Sequence, residues 1–201
     1  TGLRLVAFLA IPSTVGLVVL GEPIVRLIYE RGGFVSTDTP ATAAALAMYA
    51  VGLYAYSAVK VAAPAFYALD HPRAPLVASL SAVAVNLVLH ILLFEHLGFR
   101  GLALGTALGA GATVPALAFP FRALGAHAGR VLLAALPCGA GAYLTVRSME
   151  AALGTASTLA RLGAVLPAVA AGVVLFCGAA ALLRLPELGD VLSLVRGRLR
   201  R

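Results

Sequence analysis

Residues 74–94, APLVASLSAVAVNLVLHILLF, run from Arg73 to Glu95 without a charged side chain. A bilayer core asks for about 20 consecutive apolar residues per helix, and this stretch supplies them. Further uncharged runs occupy 5–21, 39–59, 101–121, 131–146 and 162–183. Lipid offers no water to backbone N–H and C=O groups, so each run is predicted to be helical. The expected fold is therefore an all-α, polytopic membrane bundle of about six transmembrane helices.

Composition agrees with that reading. The 201 residues are 61% hydrophobic and only 11% charged, where a soluble domain carries about 25% charged residues. Mean hydropathy is +0.99. A net charge of +7 raises the question of nucleic acid, but Arg196, Arg198, Arg200 and Arg201 crowd the last six positions. No basic patch is interleaved with aromatic side chains as single-strand binding requires, so no nucleic-acid partner is expected. Cys138 and Cys177 lie inside apolar runs, without metal-ligand spacing, and read as small hydrophobes. No nucleophile–base pair suggests an enzyme. Residue 1 is Thr and the first span begins almost at once, as in a piece of a longer protein.

Along the chain, the first span (about 3–21) carries Pro12 and Gly16. Residues 23–33, opened by Pro23 and closed by Gly32-Gly33, are expected to form a short interfacial helix in which Arg26 pairs with Glu30. The second span, 39–69, is predicted to be capped by Asp38 or Thr39 and kinked at Pro64. At 1.5 Å per residue it would measure roughly 45 Å, longer than the hydrocarbon core. Spans follow at 74–94, 101–121, 131–147 and 162–183. Gly101, Gly105 and Gly109 form a small-residue stripe that lets another helix approach closely. Glu22, Glu30, Asp38, Asp70, Glu95 and Glu150 fall at span ends, where solvation is expected to satisfy them.

Six crossings place both termini on one side. That side holds nine arginines (Arg4, Arg73, Arg122, Arg130, Arg184, Arg196, Arg198, Arg200, Arg201) and the other five (Arg26, Arg31, Arg100, Arg147, Arg161). The positive-inside rule then puts both ends in the cytoplasm. Residues 186–201 alternate apolar and basic side chains, as a cytoplasmic interfacial anchor does.

Several stretches resemble the MurJ/MviN lipid II flippases: Ile11-Pro12-Ser13 through Gly16-Leu17; Leu27-Ile28-Tyr29-Glu30-Arg31-Gly32-Gly33-Phe34; Tyr49-Ala50-Val51-Gly52-Leu53; and above all Val59-Lys60-Val61-Ala62-Ala63-Pro64-Ala65-Phe66-Tyr67. The loop Asp70-His71-Pro72-Arg73-Ala74-Pro75 fits as well. The resemblance covers about residues 3–125, whereas the last two spans match in length and hydrophobicity alone. It implies membership of the multidrug/oligosaccharidyl-lipid/polysaccharide exporter superfamily, with this chain as helices nine to fourteen of fourteen. Residues 1–125 would be four spans of the second transport lobe, and 126–185 two extra helices lining an apolar groove for a lipid tail. The implied activity is alternating-access movement of the undecaprenyl-pyrophosphate-linked peptidoglycan precursor across the bacterial cytoplasmic (inner) membrane. Partners would be that lipid-linked precursor, membrane lipids and the N-terminal lobe of the same protein. Two other readings stay open: an exporter of another polyprenyl-linked glycan or a drug/cation antiporter, and a non-transporting scaffold for cell-wall synthesis.

Two groups of residues stand out. Lys60 is the one lysine and lies inside the second span, where a charge costs at least about 2.5–3.5 kcal/mol on insertion scales. Tyr49, Tyr56, Lys60 and Tyr67, at spacings of seven, four and seven, share a stripe. Either Lys60 faces a substrate cavity and meets phosphate there, or it snorkels or pairs structurally. Asn86 and His90 share a face of the third span, with Thr106 able to meet them across the glycine stripe. By the resemblance, Asn86, His90, the Leu102 carbonyl and Thr106 match a sodium site found in some relatives. Sodium prefers oxygen ligands and imidazole is a poor substitute, so interhelical hydrogen bonding is the competing role. No cofactor is expected.

Overall fold

The computed structural model describes residues 2–116, 121–191 and 193, with side-chain surroundings for 2–111, 127–191 and 193. Seven helices follow one another: α1 (Gly2–Tyr29), α2 (Thr39–Val51), α3 (Leu53–Ala68), α4 (Arg73–Leu97), α5 (Phe99–Ala116), α6 (Phe121–Leu153) and α7 (Thr158–Leu182). Taking α2 and α3 as one crossing, five segments among the described residues are long and apolar enough to span a membrane: Gly2–Tyr29, Thr39–Ala68, Arg73–Leu97, His127–Leu153 and Thr158–Leu182. The sixth expected span, 101–121, corresponds to α5, and residues 117–120 of that stretch lie outside the described residues.

Packing runs outward from α1, which touches α2, α3, α6 and α7. On one flank α2 and α3 rest on α5, which pairs in turn with α4; on the other, α6 pairs with α7. The buried positions are mostly alanine, including Ala7, Ala58, Ala62, Ala78, Ala103, Ala134, Ala168 and Ala180. The large aliphatic side chains point outward instead: Leu80 is 62% exposed, Val83 67%, Leu144 67% and Leu182 85%. A water-soluble protein sorts these residues the other way round. Small interiors with Leu and Val outside are what helices in lipid adopt, because close backbone approach supplies their cohesion.

The structure departs from the sequence reading at several points. α1 continues without a break through Pro23 to Tyr29, so 23–33 is not a separate interfacial helix. The expected Arg26–Glu30 pair does not form. Arg26 instead binds Glu22 at 2.8 Å and Glu150 of α6 at 2.9 Å. Glu30 binds Arg161 of α7 at 2.8 Å, and Arg161 also donates to the carbonyls of Arg26, Glu30 and Thr155. Glu30 and Glu150 are therefore largely buried partners, 12% and 18% exposed, rather than solvated end groups. This brace fastens one end of α1 to both α6 and α7.

The expected kink at Pro64 is also misplaced. α3 carries Pro64 internally, and the break falls at Gly52, between α2 and α3. A Cβ on Gly52 would sit 2.7 Å from the Cα of Ala107, so the crossing against α5 leaves room for hydrogen alone. At the start of α2, Asp38 occupies the N-cap position but makes no side-chain cap bond. Its carboxylate turns back to accept from the N–H of Val35 at 3.1 Å. α6 is longer than the expected 131–147, reaching 33 residues, so the charged residues at its ends extend past its apolar middle.

Two substitutions test this packing. Gly52→Leu forces α2 and α3 away from Ala107, and overpacking of this kind costs about 1–3 kcal/mol. Arg161→Ala strands the Glu30 carboxylate, and breaking a buried pair costs about 3–5 kcal/mol. Each is expected to lower the thermal midpoint of the full-length protein in detergent, Arg161→Ala the more. A midpoint unchanged by Arg161→Ala would show that the brace is not stabilising.

Candidate functional site: a polar seam and an apolar groove

The glycine stripe of α5 faces α4. Added Cβ atoms would lie 2.6 Å from His90 Cδ2 at Gly105 and 2.9 Å from Asn86 Cβ at Gly109, while Gly101 abuts Leu93. These absent side chains let His90 reach across the seam. Its Nε2 lies 3.0 Å from the Leu102 carbonyl oxygen and 3.1 Å from Thr106 Oγ1. Thr106 spends its hydroxyl hydrogen on the same carbonyl at 2.8 Å. A carbonyl only accepts, so Nε2 carries the hydrogen and donates it between two oxygens. Of the four residues proposed for an ion site, the fold brings His90, Leu102 and Thr106 into one cluster. Asn86 lies one turn away on the same face, and its amide makes no bond to the cluster.

Next to the seam, α3 and α4 splay apart over α5 and leave an open cavity of 530 Å³. Tyr56 lines it from α3, Asn86 and His90 from α4, and Gly109 from α5. Lys60, one turn beyond Tyr56, is exposed but does not line this cavity. Tyr49, Tyr56 and Tyr67 are 48%, 43% and 57% exposed. The break at Gly52 puts Tyr49 on α2, whereas Tyr56, Lys60 and Tyr67 share α3. All four stand on open surface of the bundle, and Lys60 has no hydrogen bond or ion pair among the described residues.

A second opening lies on the other flank. α1, α6 and α7 enclose a groove of 420 Å³ whose walls include Phe8, Pro12, Gly16, Cys138, Gly172 and Phe176. The hydroxyl of Ser13, also on its wall, is already committed to the Leu9 carbonyl at 2.7 Å. The groove is thus apolar throughout. The sequence reading assigned such a groove to the last two spans and overlooked α1 as its third wall. The signal was present in Pro12 and Gly16, four apart, which keep that face of α1 low. Leu188 and Val191, beyond α7, also line the groove, a role that the amphipathic pattern of 186–201 does not reveal.

The chain matches the family model described as "Lipid II flippase MurJ" over residues 1–174. That match reaches into α7, well past the stretch that the motifs cover. The chain is similar to the probable lipid II flippase MurJ of Rickettsia prowazekii, 37% identical over 54% of this chain and 21% of that protein. Against the probable lipid II flippase MurJ of Rhizobium tropici it is 40% identical, over 53% of this chain and 20% of the other. Against the lipid II flippase MurJ of Thermosipho africanus it is 34% identical, over 53% and 22%. The aligned region is about a fifth of the length of these relatives. A solved structure titled "Lipid II flippase MurJ, inward closed conformation" superposes with a TM-score of 0.71 at 24% identity, covering 90% of this chain and 37% of that one. At that identity the superposition speaks for the fold. The match to the family model carries the assignment: this chain belongs to the lipid II flippase MurJ family.

Proposed function

We propose that this chain is the C-terminal part of a lipid II flippase of the bacterial inner membrane, working by alternating access with an N-terminal lobe. Besides family membership, one observation carries the reading. A single bundle holds two openings of opposite character: a cavity edged by Tyr56, Asn86 and His90 with Lys60 nearby, and an apolar groove between α1, α6 and α7. A lipid-linked precursor has two such halves, an anionic pyrophosphate-sugar head and a long hydrocarbon tail. On this reading α1–α5 belong to the transport lobe, and α6 and α7 are the extra pair that holds the tail. Lys60, exposed on α3 one turn beyond Tyr56, meets the pyrophosphate beside the cavity rather than inside it, as an ammonium donating to phosphate oxygens. Movement of an amphiphile breaks no covalent bond, so the chain has no catalytic role. Both termini are cytoplasmic, as the arginine asymmetry favours.

The seam bears on the driving ion. The imidazole N–H of His90 stands between the two oxygens that a cation would claim, and a sodium ion would have to expel the ring. The ring therefore stands in the way of sodium coupling through this seam, and the role of His90 is to hold α4 on α5.

Three outcomes are expected. Lys60→Ala, expressed at parental level, should fail to restore growth fully to a flippase-depleted strain, with Lys60→Arg retaining more activity. Full complementation by Lys60→Ala would remove Lys60 from the site. Sodium should leave the melting temperature of the full-length protein unchanged, whereas His90→Asp, which supplies an anionic oxygen, should make it sodium-dependent. A sodium-dependent rise in the parent, lost in Asn86→Ala, would contradict this account. Single cysteines beside Arg73 should be shielded from an impermeant thiol reagent added outside, and one beside Arg100 should label. The reverse pattern would overturn the orientation.

A further inference from the structure

The chain does not leave the bundle after α7. Leu183 caps the helix, and Arg184 takes the left-handed conformation at φ 50°. The N–H of Leu185 returns to the Ala180 carbonyl at 3.0 Å and that of Arg184 to Ala181 at 3.1 Å, the bonding of a Schellman turn. This turn folds the following residues back along the bundle. Leu185 is 5% exposed and joins the cluster of Phe8, Val131, Cys138 and Phe176, with Leu188 and Val191 packed against it. Residues 187–191 are helical.

Between Leu185 and Leu188 stands a carboxylate. Glu187 is 3% exposed, and among the described residues it faces the imidazole of His127 on α6, Nε2 to Oε1 at 3.6 Å. That separation is too long for a hydrogen bond. His127 Nε2 and Glu187 Oε2 are both buried without any hydrogen-bond partner. Buried polar groups cost free energy unless they are hydrogen-bonded, and these two atoms are not. Apolar contacts of Leu185, Leu188 and Val191 hold the segment down, while the stranded carboxyl group favours its release to water. An anchor meant to stay in place would carry a hydrophobe at position 187.

We propose that residues 185–191 are a flap over the apolar groove, hinged at Arg184 and held by a deliberately weak Glu187–His127 latch. Closed, it seals the end of the groove nearest the start of α1, with Cys138 beneath it. Open, it lets a hydrocarbon chain of a lipid enter or run out at that end. The occupant follows from the earlier reading of the groove as a tail site; the flap itself follows from the latch.

The test uses the full-length protein in lipid nanodiscs with Cys138 as its sole cysteine, Cys177 and any others being changed to Ala. The rate of Cys138 modification by N-ethylmaleimide reports flap opening. In His127→Leu/Glu187→Leu the latch becomes apolar, docking tightens, and labelling should slow about tenfold, equivalent to about 1.4 kcal/mol. In Glu187→Lys a buried ammonium faces His127, and labelling should accelerate. Should the lysine variant fail to fold, the double leucine variant decides alone, since its thermal midpoint should equal or exceed the parent's. An unchanged or faster rate in that stable double variant overturns the flap. No substrate is needed, so such a failure alongside lost complementation by Lys60→Ala would remove the flap and leave the flippase reading intact.

Discussion

Everything in this bundle depends on how closely two helix backbones approach when no water can drive them together. In lipid, a Leu side chain gains little by turning inward, because the surrounding tails are as apolar as the protein interior. Cohesion has to come from contact itself, and contact is greatest where side chains are smallest. The alanines in the interior and the outward leucines and valines follow from that single condition. So do the two tightest crossings, Gly52 against Ala107 and the α5 glycines against α4.

Close approach also creates the polar chemistry. Leu102 already bonds within its own helix, and in a wider seam its carbonyl would be beyond the reach of a side chain on α4. With hydrogens in place of side chains at Gly105 and Gly109, His90 spans the gap and shares its N–H between Leu102 and Thr106. Packing and polar recognition are therefore one arrangement at this seam. The outer flank shows the opposite use of small residues. Pro12 and Gly16 do not bring helices together but leave a hollow on that face of α1, where a Cβ on Gly16 would meet nothing within 4 Å.

Much of this could be read from the sequence. Uncharged runs gave the crossings, and Gly101, Gly105 and Gly109 pointed to the α4–α5 seam and its polar cluster. What escaped was whatever depended on a distant partner. Pro64 carries the stronger helix-breaking propensity, yet the helix breaks at Gly52, because Ala107, fifty-five residues away, lies against that point. Glu30 has Arg26 four residues before it, the ordinary spacing for a pair, but Arg161 and Glu150 from other helices compete successfully for both. Glu187 sits in a stretch that reads as a solvated anchor and is nonetheless buried, because a left-handed Arg184 turns it inward. Local pattern fixes which segments are helices in a membrane; it does not fix where they bend or whom their charges meet.

The brace of Arg26, Glu30, Glu150 and Arg161 ties α1 to α6 and α7 at one end only, while Phe8 and Phe176, with ring centroids 5.0 Å apart, hold the other end by contact alone. Such an assembly behaves mechanically as a lever with its fulcrum at the polar end. From Arg26 to Gly2 the helix measures about 36 Å, so rocking by roughly 10° about the brace would carry its far end through about 6 Å. The displacement grows steadily along the groove, from almost nothing beside Ile24 to about 5 Å beside Phe8, eighteen residues from Arg26. Such rocking would open the groove as a wedge, with its mouth at the end where the chain folds back.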